Sequence, residues 1–99
     1  MSQNTIGRQK MREYRDASDR LCIDLSDRGG YFETFASRMT SLHGSPVEKV
    51  NGVDQHYWDF DVNGITVVLH SDGMAGVSIH VKDGANENLV REIASQLTE

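Results

Sequence analysis

Four histidines and a single cysteine are the residues of this chain best suited to bind a metal. The histidines are His43, His56, His70 and His80, and no two of them have the i, i+4 or His-X-His spacing that presents two ligands together. Cys22 has no second cysteine with which to form a Cys-X-X-Cys pair. The spacing therefore predicts neither a metal site nor a bound cofactor.

Nucleophilic catalysis and phosphate binding also lack their sequence patterns. Cys22 lies in the middle of a short alternating strand pattern, and Ser71 has no Gly-X-Ser-X-Gly elbow around it. Gly29-Gly30 precedes a predicted helix, but the remaining residues of a phosphate-binding loop are missing. We therefore predict no catalytic residue, and we favour a binding protein over an enzyme.

Composition and charge narrow the class of protein further. The chain has 99 residues, of which 37% are hydrophobic and 25% charged, which suits one folded domain. The net charge of −5 combines +2 over residues 1–20 with −7 over residues 21–99. The acidic part of the chain, residues 21–99, is unsuited to binding nucleic acid and is attracted to basic proteins. Apolar runs are too short to cross a membrane, no secretory signal is evident, and one cysteine suits the reducing cytoplasm.

The hydropathy pattern predicts a basic, partly helical leader over residues 1–19 and one α+β domain over residues 20–99. Apolar residues at helical spacing predict one helix from Phe32 to Leu42, ended by Gly44, and a second that follows Asn86. Alternating residues predict four to five strands in an antiparallel meander. The predicted fold has two layers, with both amphipathic helices on one sheet face. A further surface helix is expected over residues 8–19.

Turn residues set the expected strand pairing. Asn63-Gly64 predicts a hairpin that pairs Val62 with Ile65, Phe60 with Val67 and Trp58 with Leu69. A loop over residues 72–74 would then pair Val67 with Ile79 and Leu69 with Val77. Asn51-Gly52 predicts another hairpin turn, after a strand over Val47–Val50. The first strand, Leu21–Leu25, is expected at an edge of the sheet.

The uncovered face of this sheet is the predicted functional surface. Its candidate partner-binding residues are Tyr57, Asp59, Asp61, His70 and His80. In the expected register, Asp61, Thr66 and His80 share one row across three strands, and Tyr57 lies beside His70. A tyrosine among charged and polar neighbours is typical of a recognition surface, because it offers rigid contact area and a polar tip.

At the level of class only, the chain resembles small acidic bacterial proteins that neutralise a basic partner, such as toxin-immunity proteins. The resemblance consists of the size, the acidic body and the polar sheet face. It implies a cytoplasmic protein-binding module that inhibits a basic toxin or enzyme through its acidic surface. Two alternatives stay open. One is a homodimeric regulatory or structural module, and the other is a small ligand-binding protein or enzyme with a pocket that the sequence does not reveal.

Overall fold

The computed structural model describes residues 11–73 and 75–98 as a six-stranded sheet and two helices. In chain order the elements are β1 (Arg12–Arg15), β2 (Leu21–Ser26), a 3-10 turn (Gly29–Tyr31), α1 (Phe32–His43), β3 (Glu48–Asn51), β4 (Gln55–Val62), β5 (Ile65–Asp72), β6 (Gly76–Val81) and α2 (Glu87–Thr98). The strand order is β1-β2-β6-β5-β4-β3, and every neighbouring pair is antiparallel. The α+β class is confirmed, with six strands instead of the predicted four to five.

Both helices pack on the apolar face of the sheet. Phe35 of α1, Leu97 of α2, and Phe60, Leu69 and Ile79 of the sheet belong to one core cluster and are fully buried. The predicted helix end at Gly44 is confirmed, since its φ of 97° breaks the helix and its N–H donates to the Thr40 carbonyl. Trp58 lies at the margin of this core, half-buried, with its ring edge-on to that of Phe32.

The predicted N-terminal surface helix is wrong over its described part. Residues 8–10 lie outside the described residues, and Arg12–Arg15 form β1 at the edge of the sheet. Successive side chains of a strand point to opposite faces. Glu13 therefore pairs with Arg91 of α2 on one face, whereas Arg12 pairs with Asp24 on the other. The hydrogen bonds that β1 forms along β2, together with the two ion pairs, outweigh the helical pattern of residues 8–19. β2 is therefore an inner strand and not the edge strand that the sequence predicts.

The central hairpin has the predicted register. Val62 pairs with Ile65, Phe60 with Val67 and Trp58 with Leu69. Asn63 and Gly64 have φ values of 55° and 85°, the left-handed backbone that a two-residue hairpin turn requires. The short-range signal was therefore sufficient here.

Two other pairings differ from the prediction. Val67 pairs with Val81 and Leu69 with Ile79, so β6 is shifted by two residues against β5. An even shift leaves the same side chains on the apolar face, and the hydropathy pattern therefore cannot distinguish the two registers. The β3–β4 turn lies at residues 53–54 and not at Asn51-Gly52, because Asn51 is still paired with His56.

Candidate partner-binding surface

The sheet face opposite the helices, called the outer face below, presents two rows of side chains that cross all six strands. The Tyr57 row runs Val50, Tyr57, His70, Ser78, Asp24 and Arg12. The His80 row runs Glu48, Asp59, Val68, His80, Cys22 and Tyr14. The two-residue shift of β6 places His80 opposite Val68, so the predicted row of Asp61, Thr66 and His80 is wrong.

Most of the positively charged side chains on this face are in ion pairs with carboxylates. Lys82 Nζ lies 3.0 Å from Asp59 Oδ2, and Arg12 lies 2.6 Å from Asp24 Oδ2. The Asp59 carboxylate raises the pKa of Lys82. Arg20 similarly pairs with Asp16 at 2.9 Å and donates a second hydrogen bond to the Lys82 carbonyl. Each of these three cations is therefore neutralised by a neighbouring carboxylate.

Tyr57 is an exposed aromatic group of the outer face, on the strand next to β3. Its ring stacks on the His70 ring with 4.3 Å between centroids and an interplanar angle of 18°. The Tyr57 hydroxyl donates to Gln55 Oε1 at 2.8 Å. These two contacts hold the ring in one orientation while 37% of the residue stays exposed. Val50, the cross-strand neighbour of Tyr57, is 52% exposed.

A hollow of about 280 Å³ opens beside Tyr57. Its lining residues are Arg20, Glu48, Val50, Tyr57, Asp59, Val68, His80 and Lys82. Val68 and His80 are nearly covered, whereas Lys82 and Glu48 are exposed. A second depression, of about 360 Å³, is also lined by Tyr57 and Val50, together with Val53 and Asp54 of the β3–β4 turn.

Burial controls the ionisation of the two outer-face histidines. Burial and, to a smaller extent, the positive charge of Arg20 lower the pKa of His80 to about 4. Burial also lowers the pKa of His70, whose Nε2 has no hydrogen-bond partner among the described residues. The Cys22 thiol has a raised pKa because it is buried. Both imidazoles are thus neutral at pH 7, and the thiol is protonated.

The structure brings together four of the five predicted site residues. Tyr57 stacks on His70, and Asp59 and His80 line the same hollow. Asp59, however, is only 9% exposed and is paired with Lys82, so little of its carboxylate is open to a partner. Asp61 lies apart from the hollow, where its carboxylate accepts the Gly64 N–H of the β4–β5 turn.

Sequence reasoning missed the contribution of β3. Val50 and Glu48 reach the outer face beside Tyr57 and Asp59, and Val53 at the turn is 98% exposed. The sequence of β3 does not alternate between apolar and polar residues, since Val47 and Val50 are three residues apart. Only a turn placed two residues later would have assigned these side chains to the outer face. The turn was misplaced because Asn51-Gly52 resembles a hairpin dipeptide. Instead, the Asn51 side chain accepts a hydrogen bond from Trp58 Nε1 at 2.8 Å.

Comparisons with protein-family models, with curated proteins and with solved structures give no match to the chain. Within residues 11–73 and 75–98, no group of three or more histidine, cysteine or acidic side chains is arranged to hold a metal ion. In the same part of the chain, no helix is long and apolar enough to cross a membrane. Function is therefore inferred from the outer face itself.

Proposed function

We propose that this chain is a protein-binding module that uses its outer face to bind a partner carrying positive charge. The observation that carries the proposal is the small apolar surface formed by Val50, Val53 and Tyr57, all of them exposed. Tyr57 is already held in place by His70 and Gln55, so little conformational entropy is lost when a partner covers it. Rigid aromatic groups of this kind dominate many protein interfaces.

The charge around this apolar surface supports a basic partner. Arg12, Arg20 and Lys82 are each in an ion pair, whereas Glu48 and Asp54 form no ion pair with any described residue. A partner approaching Tyr57 therefore meets one carboxylate without an ion pair in each of the two depressions that Tyr57 lines, Glu48 in the hollow and Asp54 at the turn. Attraction between such groups and a basic surface accelerates association and falls with added salt.

The open shape of the hollow favours a protein partner over a small molecule. Pockets for small ligands bury most of the surface of the ligand. The hollow of about 280 Å³ is instead open to solvent, which suits one side chain of a partner. In its most specific form, the proposal is that the chain inhibits a basic enzyme or toxin by covering its cleft.

The test begins by capturing a partner from the native host and purifying it for binding kinetics. Glu48→Lys/Asp54→Lys should slow association, and the effect should shrink as salt rises. The matched control is Glu33→Lys/Glu92→Lys, which makes the same charge change at exposed positions of α1 and α2. Asp59 is not a suitable position, because its substitution leaves Lys82 without its partner.

Tyr57→Ala tests the apolar contact. It should accelerate dissociation more than it slows association, because it removes desolvated contact area. Leu42→Ala is its control, since Leu42 is 50% exposed on α1. Binding kinetics that are unchanged by both Tyr57→Ala and Glu48→Lys/Asp54→Lys, in folded variants, would exclude the outer face as the binding site.

A further inference from the structure

β3 forms one edge of the sheet, and its second side is open. All four residues, Glu48–Asn51, are exposed, and β4 is the only described strand that pairs with them. An open strand edge presents unpaired N–H and C=O groups that another strand can bind. The edge is also apolar in part, since Val50 is 52% exposed and Val47, just before the strand, is 66% exposed.

The pairing with β4 determines which backbone groups point outward. Gly52 N–H donates to the Gln55 carbonyl at 2.7 Å, which makes residues 52 and 55 a hydrogen-bonded pair. Hydrogen-bonded and non-bonded pairs alternate along antiparallel strands. Glu48 and Val50 therefore direct their backbone groups toward β4. Lys49 and Asn51 direct theirs away from the sheet.

Natural edge strands are often protected by a lysine that projects from the edge. β3 contains Lys49, but its Nζ lies 4.3 Å from the centre of the Trp58 ring. This cation–π contact holds the lysine over the neighbouring strand on the apolar side of the sheet. Lys49 consequently does not project from the edge of β3 to protect its outward-facing backbone groups.

We infer that β3 pairs with β3 of a second copy, antiparallel about a two-fold axis at Val50. In this register Lys49 of one copy forms a hydrogen-bonded pair with Asn51 of the other, and the two Val50 side chains meet on the outer face. The register shifted by two residues toward the strand's start would place the two Lys49 residues opposite each other. A shift of two residues in the other direction would place Lys49 opposite the β3–β4 turn. Only the register centred on Val50 therefore uses both outward-facing residues, Lys49 and Asn51, without placing like charges opposite each other.

The dimer joins the outer faces of both copies into one continuous surface with two hollows and two Tyr57 rings. This goes beyond the proposed function, which requires only one copy. A contact of one short strand buries little area, so we expect dissociation constants of roughly 10 to 1,000 µM. We therefore expect the dimer to form only where the protein is concentrated or locally enriched.

Sedimentation velocity of the full chain over that concentration range tests the inference without any partner. Wild-type protein should show a monomer–dimer equilibrium, and Val50→Lys should weaken it at least roughly tenfold by placing two cations together at the axis. Leu42→Lys is the control, because Leu42 is 50% exposed on α1 and lies outside β3. A chain that stays monomeric, or a dimer that is equally strong in Val50→Lys, overturns the inference.

Disulfide cross-linking with oxidised glutathione tests the register, in a Cys22→Ser background that removes the buried native thiol. Residues opposite each other in a non-bonded antiparallel pair have Cα atoms about 4.5 Å apart, within the range for a disulfide. Val50→Cys should therefore link two copies rapidly. Val47→Cys, where the two thiols would lie about 20 Å apart, should not. Equal cross-linking of both variants contradicts the register.

Discussion

Protonation of His80 should destabilise the fold as the pH falls from 7 toward 5. His80 is 8% exposed on the outer face, opposite Val68 and Cys22, which are each 4% exposed. Burial and, to a smaller extent, the Arg20 guanidinium lower its folded pKa from 6.5 to about 4. The unfolded chain returns the imidazole to water, where it regains its ordinary pKa. Between pH 7 and pH 5, the unfolded state therefore binds a proton at His80 that the folded state does not bind.

The direction and size of this effect follow from the two pKa values. A folded pKa below the unfolded one means that the stabilisation is complete above pH 6.5 and is lost as the pH falls toward 4. Without screening, the loss between pH 7 and pH 5 would be about 1.8 kcal/mol. Part of the ring faces the open hollow, so solvent screening reduces the expected loss to about 1 kcal/mol.

Urea unfolding at pH 7 and pH 5 measures this loss, with His80→Gln as the comparison because it cannot titrate. The wild type should lose about 1 kcal/mol more than the variant over this interval. An NMR titration of the folded protein should place the His80 midpoint below that in urea. Equal losses in the two proteins, together with a folded midpoint near 6.5, would refute the assigned burial effect.

Three further changes test the core, a backbone constraint and the thiol. Phe60→Ala should lower the free energy of unfolding by about 3 to 5 kcal/mol, and Trp58→Ala by less, since Trp58 is only half-buried; urea unfolding compares them. Gly64→Ala should cost about 1 kcal/mol for its positive φ. Gly76→Ala should cost at least twice that, because its Cβ would lie 2.1 Å from a carbonyl oxygen, and equal melting temperatures would contradict this. Cys22 should react with Ellman's reagent roughly a hundredfold more slowly in the folded chain than in urea.

Ion pairing explains why Asp59 contributes less to the charge of the outer face than the sequence predicts. Asp59 and Lys82 are 23 residues apart in sequence, and their pairing depends on the packing of β4, β5 and β6. From the sequence alone, the charges of Asp59 and Lys82 both count as available to a partner. In the folded chain they largely satisfy each other, and the charge that a partner meets is that of residues such as Glu48 and Asp54.

The sequence by itself determined the two amphipathic helices and the β4–β5 hairpin, because their signals are local. Asn63-Gly64 fits one turn geometry, and the alternation on both sides of it permits one register with the apolar residues on a single face. Only the tertiary structure decided that Arg12–Arg15 is a strand and that β6 is shifted by two residues. β1 has no apolar periodicity and is held by the edge of β2 and by ion pairs to distant residues, while an even shift leaves the apolar pattern of β6 unchanged.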